Sequence, residues 1–150
     1  HGLIVLEQEM RTASHELFVT TDDGSYGRKG FVTDQLRELL TSRKVDTVYA
    51  IGPLPMMKAV SGLTKEFGVK TVVSLNALMV DGTGMCGGCR VTVGGKMKFA
   101  CVDGPEFNAH DVDFDELIIR NRSYSEHERE SDRRFEESRA CQARGAEATS

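Results

Sequence analysis

The segment that most restricts the fold is residues 81–89, which read DGTGMCGGC. It holds two of the four cysteines of the chain, Cys86 and Cys89, and Cys101 follows further along. Two thiolates separated by two residues can bind one metal centre, and a β-hairpin after Cys89 would return a third thiolate to it. Three thiolates do not complete a tetrahedral zinc site, and they are one fewer than the usual four ligands of an iron–sulfur cluster.

Asp81 stands where the fourth ligand is missing. Plant-type [2Fe–2S] proteins space their ligands as C-x4-C-x2-C with a distant fourth cysteine, and the spacing here is Asp81-x4-Cys86-x2-Cys89-x11-Cys101. A carboxylate supplies negative charge and an oxygen donor, so it can bind ferric iron. The surrounding glycines permit positive φ and let backbone N–H groups approach the sulfurs. The sequence therefore predicts a [2Fe–2S] site at these four residues.

Other interpretations of the same residues remain open. A zinc site completed by Asp81 or His110 is one, although His110 is more typical of a surface histidine. Asp81 is also typical of an Asp-Gly turn, in which case water or an external group would be the fourth ligand. Cys141 lies forty residues beyond Cys101 in a polar segment, and we interpret it as having no part in the site.

Hydrophobic periodicity predicts that helices and strands alternate before residue 78. This order favours an α/β fold with a parallel sheet covered on both faces. The predicted elements are a helix with Leu3, Ile4, Leu6 and Met10 on one face, a strand at 16–20, a helix from Phe31 to Leu40 with Thr33 as N-cap, a buried strand at 45–52, a helix from Met56 to Phe67 and a strand at 69–75.

The sequence after Leu78 has a different character. Residues 90–101 alternate around Gly94-Gly95, which predicts a β-hairpin with a two-residue turn. A helix is expected next, with Asp113 as N-cap and Glu116 forming a capping box. The remainder is almost entirely polar, and the last nine residues are predicted to be disordered.

Composition excludes several classes of protein. The formal net charge is −4, so no broad basic surface for nucleic acid is expected. No apolar run approaches the roughly 20 residues of a membrane span, and no secretory signal is visible, so we expect a cytoplasmic protein. The chain starts at His1 inside a periodic pattern, and we expect it to be a fragment of a longer protein.

Three stretches resemble a known family. The longest, LNALMVDGTGMCGGCRVTVGGKMKFACVDGPEFNAHDVDFDEL, resembles the C-terminal part of FAD- and NAD-binding electron-transfer subunits with a [2Fe–2S] cluster. These include the small subunits of NADH-dependent ferredoxin:NADP oxidoreductase and sulfide dehydrogenase, and the dihydroorotate dehydrogenase electron-transfer subunit. TTDDGSYGRKGFVTDQLRELL and VYAIGPLPMMKAV also match, so that the resemblance covers residues 1–122.

The resemblance implies a ferredoxin-reductase-like arrangement in three parts. Residues 1–77 would be the C-terminal part of an NAD(P)-binding domain with a Rossmann-type parallel sheet. Residues 78–112 would be the [2Fe–2S]-binding hairpin segment, and residues 113–150 a C-terminal helix and polar tail. FAD would be bound mainly by a domain absent from this chain.

The function that the resemblance implies is electron transfer. Electrons would pass between NAD(P)H, FAD and the cluster to a larger catalytic oxidoreductase subunit. Asp81 matches the aspartate proposed as fourth ligand in the sulfide dehydrogenase branch, whereas the dihydroorotate branch has a fourth cysteine. The alternative is an iron–sulfur or zinc-binding interaction module without enzymatic activity.

The resemblance also implies contacts with the nucleotide. IGPLPM matches the motif that reaches the nicotinamide end, where Gly52 would let the backbone approach, Pro53 would start the next helix and Met56 is a further candidate, although methionine there is more often part of the core. Asp22 or Asp23 would bond the adenosine ribose, which favours NAD over NADP. A plain Asp-Gly turn is the alternative for these two residues.

Overall fold

The computed structural model describes residues 4–147, and the side chains of residues 4–139. The chain divides into two compact units. The first comprises residues 1–74 and 108–110, and the second comprises residues 75–107 and 111–150. Among the described residues, no helix combines the length and the apolar composition needed to cross a membrane.

The first unit alternates helices with short parallel strands. Strands β3 and β4 pair in parallel, in a register that runs from Thr47 opposite Lys70 to Ile51 opposite Ser74. Its elements in chain order are α1 (Glu7–Ala13), β1 (Thr20–Thr21), β2 (Arg28–Lys29), α2 (Val32–Ser42), β3 (Thr47–Ile51), α3 (Leu54–Glu66) and β4 (Lys70–Ser74).

Helix α3 forms the core of the first unit. Its apolar face packs on β3, β4 and α2, and Met57 on that face is fully buried, which stabilises the fold by roughly 1.5–3 kcal/mol. The buried polar groups have partners: the Thr71 hydroxyl donates to Thr64 Oγ1 at 2.6 Å, and the Ser61 hydroxyl donates to the Ala109 carbonyl at 3.0 Å. The α3 segment therefore ties residues 108–110 to the first unit.

Several predictions for the first unit were wrong in detail. The helix predicted to include Ile4 and Leu6 begins only at Glu7, because Leu6 at the N-cap position has a left-handed φ of 58°. Of the strand expected at 16–20, only Thr20 belongs to a strand, because the ladder with β2 begins there. Helix α2 begins at Val32 with Phe31 at the N-cap position, not Thr33. The reason is Asp34, whose carboxylate accepts a hydrogen bond from the Phe31 backbone N–H at 3.2 Å.

The strand expected to be buried also differs from the prediction. Tyr49 and Ile51 on β3 are 69% and 72% exposed, whereas Ala50 between them is buried. Successive side chains of a strand point to opposite faces, so that α3 covers one face of β3 and leaves the other uncovered in the described residues.

The second unit is built on an antiparallel strand pair. Arg90 lies opposite Phe99 and Val93 opposite Lys96, and Gly94 and Gly95 make the two-residue turn, both with positive φ. The unit contains β5 (Arg90–Val93), β6 (Lys96–Phe99), α4 (Ala100–Asp103), α5 (Phe114–Asn121), a 3-10 turn at Arg122–Tyr124 and α6 (Ser125–Glu147); β7 (Glu106–Asn108) and a 3-10 turn at Ala109–Asp111 cross the division between the units.

Helix α5 packs on β5 and buries Phe114 and Leu117. The predicted N-cap is confirmed, because Asp113 Oδ1 accepts from the Glu116 backbone N–H at 3.0 Å. The reciprocal half of the capping box is replaced: the Asp113 N–H donates to the Thr92 carbonyl at 2.9 Å and so joins the helix to β5. Disorder was predicted for residues 142–150. This prediction is wrong for residues 142–147, which belong to α6, and residues 148–150 lie outside the described residues.

Gly62→Ala is expected to stabilise the protein. Gly62 is exposed inside α3 and nothing lies within 4 Å of a Cβ added there, and alanine in a helix interior is favoured over glycine by about 1 kcal/mol. The melting temperature should therefore rise. Gly68→Ala is the matched control, since the space there is equally open but φ is +64°, and its melting temperature should fall. A fall for Gly62→Ala would contradict the packing described for α3.

The position of α1 is expected to depend on pH. Hydrogen bonds from Arg11 and from the Tyr26 hydroxyl hold the pKa of Glu7 below its ordinary value. Because the pKa of Glu7 is lower in the folded protein, the contact stabilises the fold at pH values above the ordinary glutamate pKa of about 4.3. This stabilisation is lost as the pH falls through the pKa of the folded state. The ¹³C carboxyl signal of Glu7 should titrate below about pH 4.3, and Tyr26→Phe should move the midpoint upward. A midpoint at the ordinary value in both proteins would show that the contact does not form.

Candidate metal centre

The hairpin brings two of the predicted ligands together. Cys89 stands immediately before β5 and Cys101 lies just after β6, so the register that pairs Arg90 with Phe99 places both cysteines at the open end of the hairpin. The Ala100 N–H donates to the Cys89 carbonyl at 3.1 Å and extends the pairing by one residue. The two sulfurs lie 3.2 Å apart.

The other two predicted ligands lie on the loop before the hairpin. Cys86 is exposed, and its sulfur accepts a hydrogen bond from the Gly88 N–H at 3.4 Å. Among the side chains of residues 4–139, no three of the His, Cys, Asp and Glu groups are arranged to hold one metal ion. The structure therefore pairs Cys89 with Cys101 and leaves Cys86 and Asp81 on the loop that precedes the hairpin.

Asp81 closes this loop through both of its carboxylate oxygens. Oδ1 accepts from the Thr83 N–H and Oδ2 from the Cys86 N–H, each at 2.8 Å. The bond from Thr83 is the main reason that the pKa of Asp81 lies below its ordinary value. The carboxylate is thus ionised and holds the backbone of Cys86, and each oxygen keeps a further lone pair.

Backbone N–H groups converge on the paired sulfurs. Burial raises the pKa of the Cys89 thiol, but hydrogen bonds from the Cys101 backbone and thiol and from the Ala100 backbone outweigh burial, and the net shift is downward. The pKa of Cys101 is raised, first because of the hydrogen bond between its thiol and that of Cys89 and second because of burial, whereas the Gly84 N–H acts in the opposite direction. The two shifts have opposite directions, so Cys89 is the thiol of the pair that ionises more readily.

The close approach of Gly84 depends on its lacking a side chain. Its φ is +83°, and a Cβ there would lie 2.8 Å from the Val102 Cγ2 methyl. A side chain at this position would push the N–H away from Cys101. Three thiols, one carboxylate and several amide donors on one loop and hairpin make a donor set that fits an iron–sulfur cluster.

The other two residues considered from the sequence are His110 and Cys141. His110 belongs to the first unit, where a ring nitrogen is 3.2 Å from Thr64 Oγ1. The side chain of Cys141 lies outside the described residues.

The predicted nucleotide residues all belong to the first unit. Asp23 Oδ1 accepts from the Ser25 N–H at 2.9 Å, so that this carboxylate makes an Asx turn, and Asp22 is exposed beside it. Pro53 occupies the N-cap position of α3, one residue before the helix begins. A Cβ on Gly52 would lie 2.6 Å from the Met56 methyl, so Met56 covers the glycine backbone.

Met56 also lines an apolar groove of about 310 Å³ in the first unit. Thr20 at the end of the predicted strand and Ile51 at the end of β3 line the same groove. The structure therefore brings Met56 to the ends of two strand segments, whereas the two aspartates, Gly52 and Pro53 do not line the groove.

Sequence reasoning missed two arginines beside the cysteines. Arg90 and Arg120 line a cleft that Cys86 also borders. A signal was present, because Leu117, Arg120 and Tyr124 have the spacing of one helix face. The position of that face relative to Cys86 depends on the packing of α5 against β5, which periodicity does not predict.

Comparison with known proteins identifies relatives over most of the chain. Residues 76–113 match a model of the iron–sulfur cluster binding domain of dihydroorotate dehydrogenase B. A Clostridium beijerinckii protein, named as an uncharacterized protein in the adh 3′ region, is 53% identical over 137 residues, which are 90% of this chain and 46% of the relative. The Thermotoga maritima homolog of the dihydroorotate dehydrogenase B (NAD(+)) electron transfer subunit is 53% identical over 132 residues, which are 88% of this chain and 46% of the relative.

A solved structure agrees with these relatives. A chain in the structure of an NADH-dependent reduced ferredoxin-NADP oxidoreductase, studied for flavin-based electron bifurcation, is 53% identical with a TM-score of 0.78. The match covers 89% of this chain and 48% of that one, so this chain spans about half the length of the relatives it matches. The match to this solved structure confirms the predicted α/β fold class. Over most of its length the chain is thus similar to about half of a dihydroorotate dehydrogenase B electron transfer subunit homolog, and residues 76–113 match the iron–sulfur cluster binding domain of that enzyme.

Proposed function

We propose that this chain is part of an electron-transfer subunit of a flavin-dependent NAD(P)H oxidoreductase. The observation that carries the proposal is the pairing of the Cys89 and Cys101 sulfurs at 3.2 Å, with amide donors aimed at them and with Cys86 on the adjoining loop. The match of residues 76–113 to a cluster-binding domain supports it.

In this proposal Cys86, Cys89, Cys101 and Asp81 hold a [2Fe–2S] cluster. When bound, the cluster supplies one-electron redox chemistry. The Gly88 amide, whose nitrogen lies 3.4 Å from the Cys86 sulfur, stabilises the negative charge of that ligand. Cys89, only 2% exposed, lies on the side that excludes water. Cys86 lies on the solvent side, where electrons would be exchanged with a partner.

The remaining roles follow the family. Residues 1–77 would contribute part of an NAD(P)-binding Rossmann-type sheet, with Gly52, Pro53 and Met56 at the nicotinamide end and Asp22 or Asp23 at the ribose. Residues 78–112 would be the hairpin segment that holds the cluster, and residues 113–150 the C-terminal helix and tail. FAD would be bound mainly by the other half of such a subunit.

The partner would be a larger catalytic oxidoreductase subunit in the cytoplasm. The name of the Thermotoga maritima relative, an electron transfer subunit homolog, supports this assembly. NADH, the donor in the name of the structural relative, is the nucleotide that Asp22 or Asp23 would favour. The alternative is a non-enzymatic iron–sulfur or zinc-binding module, which would neither need a nucleotide nor respond to one.

The cysteine variants test the ligand set. Cys86→Ser, Cys89→Ser and Cys101→Ser should each lose most of the iron and acid-labile sulfide, because serine is a poor replacement for a thiolate ligand. The wild-type chain should carry about two iron atoms and the visible absorbance of a [2Fe–2S] cluster. Cys141→Ser is the matched control and should keep both.

Metal content also separates the proposal from its alternative. Zinc instead of iron in the wild-type chain would contradict the proposal. Loaded chain should be reduced by NADH only when a flavoprotein half is added. A cluster that NADH cannot reduce even then would favour the non-enzymatic module.

Two substitutions at Asp81 separate ligation from loop closure. Asp81→Cys supplies a ligand but lacks the oxygens that accept from Thr83 and Cys86. Asp81→Asn keeps one acceptor oxygen and the Asx turn but loses the charge. If Asp81 binds iron, the cysteine variant should retain the cluster with an altered EPR spectrum, and the asparagine variant should lose most of its iron.

The opposite pattern would contradict ligation. An asparagine variant with wild-type iron content and an unchanged EPR spectrum would show that the carboxylate only closes the loop. Asp23→Asn, at an Asx turn in the first unit, is the matched control and should leave iron content unchanged.

A further inference from the structure

A cleft of about 300 Å³ lies beside Cys86 in the second unit. The segment Cys86–Gly88 and Arg90 form one wall, and Arg120 and Asn121 at the end of α5 form the other. Among the side chains that the structure describes, no aspartate or glutamate lines it. The cleft therefore adjoins the one predicted ligand cysteine that is exposed.

The two arginines give this cleft a positive charge. Within residues 4–139, neither Arg90 nor Arg120 has a hydrogen-bond or ion-pair partner. By contrast, Arg133 and Arg134 both bond Glu130 on α6. Because the chain has a net charge of −4, two unpaired guanidinium groups in one cleft form a local exception, and such groups bind carboxylates in bidentate geometry.

Exposed apolar side chains adjoin the charged groups. Leu78 and Val80 line the cleft and are 42% and 75% exposed, and Met85 on the cysteine loop is 90% exposed. Exposed apolar side chains beside arginine and tyrosine are typical of protein interfaces, and Tyr124 also lines the cleft. A small free anion would leave these apolar side chains in water, whereas a protein surface would cover them.

We propose that this cleft receives a carboxylate side chain from an acidic, apolar-flanked segment of a partner protein. Arg90 and Arg120 bind the carboxylate, while Leu78, Val80 and Met85 pack against its apolar neighbours. The partner is then held directly against the Cys86 loop. That it exchanges electrons there rests on the proposed function, whereas the carboxylate recognition does not.

The test uses a fluorescein-labelled peptide, EELEE, and its uncharged counterpart QQLQQ, measured by anisotropy at low ionic strength. Wild-type chain should bind EELEE and not QQLQQ. Arg90→Gln and Arg120→Gln should each weaken binding about 5- to 10-fold, as expected for a charge-assisted hydrogen bond. Arg122→Gln is the matched control: it removes the same charge near Arg120 from a residue that does not line the cleft, and should change binding less than about twofold.

Several results would overturn the inference. Absence of EELEE binding would do so, as would equal weakening by all three substitutions, which would indicate a net-charge effect. Competition by glutarate or inorganic phosphate at the concentrations at which EELEE itself binds would indicate a small-anion site. Arg120→Lys, which keeps the charge with little change in packing, should retain more affinity than Arg120→Gln, and a loss equal to that of the glutamine variant would point to structural damage.

Iron content of the same samples keeps the two proposals distinguishable. A chain without iron that binds EELEE through Arg90 and Arg120 would contradict the proposed function and support the cleft. A chain with a full [2Fe–2S] cluster that does not bind EELEE would contradict the cleft alone.

Discussion

The antiparallel register between β5 and β6 is the constraint on which the rest of the metal centre depends. Pairing Arg90 with Phe99 places the residues just outside the strands opposite one another. Cys89 occupies one of these positions, opposite Ala100, and Cys101 follows Ala100 directly, so that the two sulfurs lie 3.2 Å apart. A shift of one residue would turn the side chains to opposite faces and separate the two sulfurs. The two-residue glycine turn at the other end of the hairpin holds this register.

The loop before the hairpin is organised by backbone donors. A flexible glycine segment has a large conformational entropy, and the Asp81 carboxylate opposes it by bonding two N–H groups of the same loop. Further N–H groups are directed at sulfur atoms. The N–H groups of this loop thus also stabilise negative charge on the cysteine sulfurs. A carboxylate at position 81 can close the loop and can bind iron.

The two ends of the proposed ligand set differ in exposure. Cys89 is buried beside Val91 and Ala100, whereas Cys86 faces solvent next to two unpaired arginines and several exposed apolar side chains. One side therefore protects the centre from water and the other is open to a protein. In the first unit, the exposed Tyr49 and Ile51 on β3 show that one face of this strand is not covered by the described residues.

Local features were predictable because short-range chemistry decides them. The glycine turn of the hairpin and the N-cap at Asp113 both follow from neighbouring residues, and so does the alternation of helices and strands. The N-cap of α2 was missed by two residues, because a side-chain bond to the Phe31 backbone outweighed the preference for threonine at the cap. The extent of the strand at 16–20 depended on a partner strand, which local propensity does not reveal.

By itself, the sequence determined which groups are available to bind a cluster and in what order they occur, since this is a property of spacing along the chain. Only the tertiary structure decided which groups meet. It paired Cys89 with Cys101, gave both Asp81 oxygens backbone partners and brought Arg120 from α5 to the cleft bordered by Cys86 and Arg90. These results depend on strand register and helix packing, in which residues far apart in the chain compete for the same space and hydrogen bonds.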